Sequence, residues 1–242
     1  MSDELFSVAG QVVLVSGASR GIGRAIAAGF AERGAKVIIT GREQETLTAT
    51  ADEIAGPAGP VDTVVCDVAS LPDIEQLIPT VMGRHGRIDT LVNVAGVNLR
   101  GLYFLSQAVG KTMIERQQGS IINIDSLNTY APLKGVLPYA ISKAGVSMMT
   151  RGMASEWGPH GVRVNALAPG FILTDMTNKL WSIPKMQEWG YANTPLRRLG
   201  KTEDMIGTVI YLASKASEFM TGQVLYVDGG MSAGLQWPID LA

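Results

Sequence analysis

The stretch QVVLVSGASRGIG, residues 11–23, decides the fold class: a short aliphatic run passes through closely spaced glycines directly into an apolar helical pattern. Val12 to Val15 show no polar alternation, as expected of a strand covered on both faces in a parallel sheet. Gly17, Gly21 and Gly23 fall where the chain must turn tightly and start a helix. Small residues there let the backbone approach a pyrophosphate, and the helix N-terminus offers free N–H groups and a partial positive charge. The spacing is GxxxGxG rather than GxGxxG, and a glycine-rich corner alone also fits any strand-to-helix turn. Its place after the first strand and before an apolar helix is what points to a dinucleotide.

Outward from this corner the same alternation repeats. The helical stretch 22–33 is followed by KVIIT (36–40) and helix 43–55, then VDTVVCD (61–67) and helix 72–84, then IDTLVN (88–93). GSIINID (119–125), helix 139–157, VRVNALA (162–168), helix 202–214 and GQVLYVDGG (222–230) complete it. The pattern predicts an α/β fold, a doubly wound (Rossmann) parallel sheet of about seven strands with helices on both faces. With about 150 residues per domain as a guide, 242 residues allow one large domain or two small ones. No linker, repeat or low-complexity segment divides the chain, so residues 1–242 are expected to be one domain. Gly34 is placed to end the first helix in the left-handed conformation, and Thr202 with Glu203 and Asp204 to open the last.

Hydrophobic residues make up 46% and charged residues 17%, which indicates a compact globular chain. The net charge of −2 has no long run of either sign behind it, so neither nucleic acid nor an anionic membrane is an expected partner, and a small molecule is. The single cysteine, Cys66, excludes an intrachain disulfide; its apolar surroundings suggest a packed thiol in a reducing compartment. No basic leader opens the chain and no apolar run approaches the length of a membrane span, so a cytoplasmic location is expected. His85 and His160 stand apart among poor ligands, and no metal site is expected.

The end of the second strand discriminates between cofactors. A carboxylate there would accept hydrogen bonds from a ribose 2′-OH, but the chain has Thr40, Gly41 and Arg42. Arg42, with Arg20 from the glycine turn, offers forked cationic donors suited to a 2′-phosphate, which predicts NADP(H) rather than NAD(H). Both arginines also fit an ordinary solvated surface.

Tyr139 and Lys143, four positions apart, share one face of a helix, and Ser126 ends the strand before them. A free phenol has a pKa of about 10, so acid–base work near neutral pH needs a cation nearby, and Lys143 supplies one. Ser126 could hold a substrate oxygen while Tyr139 passes the proton. YxxxK alone is common chance spacing; the ordered set of features carries the expectation.

That set consists of SGASRGIG, the NxAG at Asn93 to Gly96, Ser126, Tyr139 with Lys143, and NALAPGFILTDM at 165–176. From about residue 7 to VDGG at 227–230, the chain resembles the classical short-chain dehydrogenase/reductase family. The resemblance implies Tyr139 as general acid/base, Lys143 lowering its pKa and binding the nicotinamide ribose, Ser126 orienting the carbonyl, and Asn98 extending a proton relay. It implies cofactor contacts from Gly17, Ser19, Arg20, Gly21, Ile22, Gly23 and Arg42. It places Asp67 and Val68 at the adenine, Asn93, Ala95 and Gly96 at the ribose region, and Pro169, Gly170, Ile172 and Thr174 at the nicotinamide and phosphates. Asn93 equally fits a strand-tying role, and Pro169-Gly170 a simple turn.

Residues 174–198 correspond to the family's substrate lid. Met176, Trp181, Met186, Trp189 and Tyr191 suit either a substrate wall or packing of the lid onto the body, and Lys185, Arg197 and Arg198 suit either an anionic substrate or solvent. SEWGPHGVRVNALAPG and TGQVLYVDGG resemble the branch that contains gluconate 5-dehydrogenases and 3-oxoacyl-carrier-protein reductases. The implied substrate is a small carbonyl or alcohol: a keto-sugar acid, a 3-oxoacyl group or a generic ketone. The implied assembly is a homotetramer or homodimer, with Trp237 in the tail at a subunit boundary.

One stretch departs from the family. In NVAGVNLRG (93–101) only Val97 separates Gly96 from Asn98, where relatives carry roughly twenty residues of loop and helix start. Either the chain is truly shortened, or a segment is missing between these residues as written. The departure motivates an alternative function, a low-activity NADP(H)-binding module or sensor on the same fold.

Overall fold

The computed structural model describes residues 4–94 and 99–234. Seven strands, β1 (Val12–Ser16), β2 (Lys36–Gly41), β3 (Asp62–Val65), β4 (Thr90–Asn93), β5 (Gly119–Ile124), β6 (Val162–Pro169) and β7 (Val224–Val227), form one sheet. Every pairing is parallel and the order is β3-β2-β1-β4-β5-β6-β7. The helices are α1 (Gly21–Glu32), α2 (Gln44–Glu53), α3 (Leu71–His85), α4 (Leu99–Glu115), α5 (Leu137–Trp157), α6 (Asn178–Trp181), α7 (Pro184–Asn193) and α8 (Ile206–Ala213).

Strand side chains alternate between two cores, which explains why the strands read as unbroken apolar runs. Val13, Val15, Ile39 and Ile122 pack with Ile26 and Phe30 of α1 and Val209 of α8. Val12, Leu14, Ile38 and Ile121 pack on the other face with Leu77 of α3, Leu105 of α4 and Met153 of α5. Each such fully buried aliphatic side chain contributes about 1.5–3 kcal/mol relative to exposure. The edge strands β3 and β7 are less covered than the central ones, because each has a neighbour on one side only. No helix among the described residues is long and apolar enough to cross a membrane.

At the N-terminal edge of the sheet Asp89 accepts hydrogen bonds from the Val12 N–H, Arg87 Nε and Arg116 Nη2, each at 2.8 Å. Burial pushes this carboxyl up, and the bonds from Arg87, Val12 and Arg116 outweigh it, holding the group below its ordinary value. At the C-terminal edge the order reverses between β1 and β4. Such a switch point opens a crevice where doubly wound sheets bind ligands.

Local expectations hold with small adjustments. Gly34 has φ +77° behind α1, in the left-handed region. Thr202 does not cap a long helix: Thr202–Met205 is a 3-10 turn entered from Lys201, whose N–H donates to Asp204 at 2.7 Å, and α8 starts only at Ile206. Cys66 is buried, and burial raises its thiol to about 11, as befits a packed and unreactive group.

Candidate active site

The glycine turn sits at the switch point, fixed to the end of β2. The N–H groups of Gly17 and Ala18 donate to the Thr40 carbonyl at 3.0 and 3.2 Å, and Thr50 Oγ1 donates to the Ser19 carbonyl at 3.1 Å. Gly17 and Gly21 have φ of +78° and +57°, a conformation that favours glycine. Gly23 is required by closeness instead: a Cβ there would lie 2.3 Å from the Gly17 carbonyl oxygen. Helix α1 begins at Gly21 with no side chain capping it, so its first N–H groups are available to an anion. Arg20 and Arg42 are both exposed at this corner, and neither makes an ion pair among the described residues.

The buried hydroxyls of Ser16, at the end of β1, and Thr40, at the end of β2, have no hydrogen-bond partner among the described residues. Asp67 and Val68 follow β3 on the same sheet edge, and Asp67 Oδ1 accepts from the Ala69 N–H at 2.9 Å. The tight cradle, the uncapped helix and the two free guanidiniums fit a dinucleotide carrying a phosphate at its ribose.

Ser126, Tyr139 and Lys143 converge at the same edge. Ser126 follows β5 and is 7% exposed; Tyr139 and Lys143 lie in the first turns of α5, which packs beside it. Lys143 Nζ donates to the Ile124 carbonyl at 2.7 Å and stands 5.7 Å from the centre of the Tyr139 ring. Burial pulls Lys143 down to about 8, and the Asp125 charge opposes the shift. Burial pushes the Tyr139 phenol above its ordinary value, and its hydrogen bond with Ser126 opposes the shift.

Sequence reasoning missed Asn128. Its N–H and its Nδ2 both donate to Ser126 Oγ, at 3.1 and 3.3 Å, while its Oδ1 accepts from the Leu133 N–H. With two donors on its oxygen, the Ser126 hydroxyl keeps its own proton to give, and it is hydrogen-bonded with Tyr139. The signal was present in SLN, a serine two residues before an asparagine, which suits a side-chain turn.

The remaining expected residues divide. Asn93 is fully buried and donates through Nδ2 to Ser106 Oγ and Asn123 Oδ1, both at 2.9 Å, as its strand-tying alternative requires. Pro169 ends β6, the Gly170 N–H donates to the Val227 carbonyl, and a Cβ on Gly170 would meet Asp228 Cα at 2.6 Å. Ile172 is buried and bridges to Gly200. Thr174 lies 3.8 Å from the position of a Cβ on Gly21, so the segment after Gly170 starts against the glycine turn. Ala95, Gly96 and Asn98 lie outside the described residues, as does Trp237.

In the segment 174–198, Trp181 is buried with its ring 5.1 Å from Phe171, and Trp189 lies 5.3 Å from the same ring, so these aromatics pack the segment onto the body. Arg198 is not free for an anionic substrate: it makes a two-pronged pair with Asp204 at 2.6 and 2.8 Å, holding that carboxyl near 2. A cavity of about 140 Å³ is lined by Phe171, Ile172, Leu196 and Gly229 and does not reach Tyr139.

The family model described as short chain dehydrogenase matches residues 11–98, and that described as enoyl-(acyl carrier protein) reductase matches residues 94–232. The chain is 36% identical to gluconate 5-dehydrogenase of Gluconobacter oxydans, covering 96% of this chain and 98% of that one. The chain belongs to the short-chain dehydrogenase/reductases. Like its relatives this short-chain dehydrogenase/reductase is an oxidoreductase of the gluconate 5-dehydrogenase and 3-oxoacyl-[acyl-carrier-protein] reductase type. The reductase of Thermotoga maritima is 38% identical over 92% of this chain and 98% of that one. A gluconate 5-dehydrogenase from Burkholderia cenocepacia, solved with NADP and tartrate, superposes with a TM-score of 0.92 at 34% identity, covering 96% of this chain and 99% of that one. The Gluconobacter alignment runs over 252 positions, more than the 242 residues of this short-chain dehydrogenase/reductase, so that relative carries residues with no counterpart here.

Proposed function

We propose that this chain is an NADP(H)-dependent oxidoreductase that transfers a hydride between nicotinamide and a ketone or secondary alcohol, of the keto-sugar acid, 3-oxoacyl or simple carbonyl class. The convergence of Ser126, Tyr139 and Lys143 beside the glycine turn carries this reading. The bound nicotinamide supplies the hydride acceptor or donor. Ser126, its oxygen already occupied by Asn128, donates its hydroxyl to the substrate oxygen. Tyr139 gives that oxygen a proton during reduction and takes it back during oxidation. Lys143, anchored on Ile124, keeps a positive charge beside the phenol and favours its ionised form at the moment of transfer. Asn98 extends the proton relay in this proposal.

Arg20 and Arg42 support the choice of NADP(H), because both stand unpaired at the corner where a 2′-phosphate would lie. Replacing both by Ala is expected to lower kcat/KM for NADPH by roughly 10–100-fold per lost charge-assisted contact and to leave NADH almost unchanged. Steady-state kinetics with both cofactors tests this; a wild-type preference for NADH contradicts it.

A homo-oligomer belongs to the same proposal, supported by the apolar stripe of Leu137, Ile141 and Met148 on α5, 61%, 62% and 64% exposed. Ile141→Arg is expected to reduce the particle mass measured by light scattering after size exclusion, and a monomeric wild type would contradict it. The second reading, a cofactor-binding module with little turnover, is favoured by the residues this chain lacks relative to the Gluconobacter enzyme.

A further inference from the structure

One buried ionisable group has no part in the reaction as proposed. Asp125 is 2% exposed and lies between Ile124, whose carbonyl holds Lys143, and Ser126. Its Oδ2 accepts from Ser147 Oγ at 2.5 Å, and its Oδ1 accepts from Thr129 Oγ1 at 2.7 Å. Its N–H donates to the Leu167 carbonyl, which fixes the residue to β6. Both carboxyl oxygens are therefore served by neutral hydroxyls, and no Lys143 nitrogen lies within ion-pair distance among the described residues. Ser147 stands one turn after Lys143 on α5, so the carboxylate and the ammonium share one dry compartment at the same helix face. An unpaired carboxylate is costly to bury, and a nearby cation is its natural compensation.

The titratable groups that feel Asp125 come from two elements, Tyr139 and Lys143 of α5 and Tyr226 of β7. Tyr226 in turn faces Arg151 of α5, Asp228 after β7 and Tyr130 after β5. Tyr130 and Tyr226 meet edge to face with centroids 6.0 Å apart. The Asp125 charge favours the Lys143 ammonium and disfavours ionisation of both Tyr139 and Tyr226. Burial raises Asp125 itself, with the bonds from Ser147 and Thr129 opposing.

We propose that Asp125 is a positioning residue for the reaction, a buried counter-ion that keeps Lys143 charged and Tyr139 protonated, so that the tyrosine waits as an acid. The proposal rests on the assignment of Tyr139 and Lys143 above. Removing the negative charge makes both groups lose their protons at lower pH, and both losses act on the same alkaline limb of a reduction profile.

The test compares wild type with Asp125→Asn, which keeps the side chain's shape, and Asp125→Ser, which keeps a hydrogen-bonding group. In NADPH-driven reduction of 5-keto-D-gluconate, the alkaline limb of kcat/KM is expected to move to lower pH by about one unit in both variants. Independently of any substrate, an ultraviolet titration of tyrosinate gives the ionisation that vanishes in Tyr139→Phe, and this is expected to move the same way. A purely structural Asp125 would lower activity equally at every pH and leave the tyrosinate step in place, which would overturn the proposal. Failure of both variants to fold would assign Asp125 to the fold and overturn it too. If Tyr139→Phe retains turnover the catalytic assignment itself fails, and if only the Asp125 variants leave the profile unmoved, only this inference fails.

Discussion

Tyr139→Phe is expected to lower kcat by about 10²–10⁴-fold while leaving NADPH binding and thermal unfolding close to wild type. The substitution removes one hydroxyl and almost no volume. The lost group is the proposed proton donor to the substrate oxygen; the ring keeps its place in the first turns of α5, and Lys143 keeps its bond to Ile124. The loss should appear in kcat and in kcat/KM together, because the proton moves in the transition state and not in substrate binding. Rapid-mixing measurements of hydride transfer and fluorescence titration with NADPH separate the two effects. Full turnover in a folded, cofactor-binding Tyr139→Phe would remove Tyr139 from the mechanism.

Gly23→Ala is expected to weaken NADPH binding by more than about tenfold and to cost roughly 1–3 kcal/mol of stability. The added Cβ would meet the Gly17 carbonyl oxygen at 2.3 Å and Ala18 Cα at 2.9 Å, both of them backbone atoms that no rotamer change can move aside. The turn must then open, and with it the N–H groups at the start of α1 shift away from the phosphates. Gly83→Ala in α3 is the control: its Cβ meets nothing within 4 Å, and the change should stabilise the helix by about 0.5–1 kcal/mol. Equal NADPH affinity in Gly23→Ala and wild type would refute the placement of the cofactor at this turn.

What could be read from the sequence followed from periodicity and backbone demand. Unbroken runs such as VVLV and GSIINI could only be strands covered on two sides, and their residues do feed two separate cores. Gly17 and Gly21 could be read because a positive φ favours one residue type, and Tyr139 with Lys143 because helical spacing fixes their shared face. Partnerships between distant residues left no such trace. Arg198 looked as available to a substrate as Arg197, and only the fold brings Asp204 to it. Asp125 read as the last residue of a strand, since nothing local says that Ser147 and Thr129 close over its carboxylate. Asn93 suited a ribose contact or a strand tie; the register of β4 against β5 brings its Nδ2 to Asn123, while its Oδ1 has no partner among the described residues. The lid aromatics suited two roles by composition, and contact with Phe171 favours packing.

The stretch Gly96-Val97-Asn98, where the sequence departs from the family pattern, lies outside the described residues. Its consequence is a question of turnover, since Ser126, Tyr139 and Lys143 are assembled without it. Consumption of NADPH by the purified chain, followed against keto-sugar acids, β-keto esters and simple ketones, measures hydride transfer directly. The expected result is sustained oxidation with at least one class, abolished in Tyr139→Phe. Saturable NADPH binding with no oxidation across the whole panel would contradict the enzyme and leave a cofactor-binding module in its place.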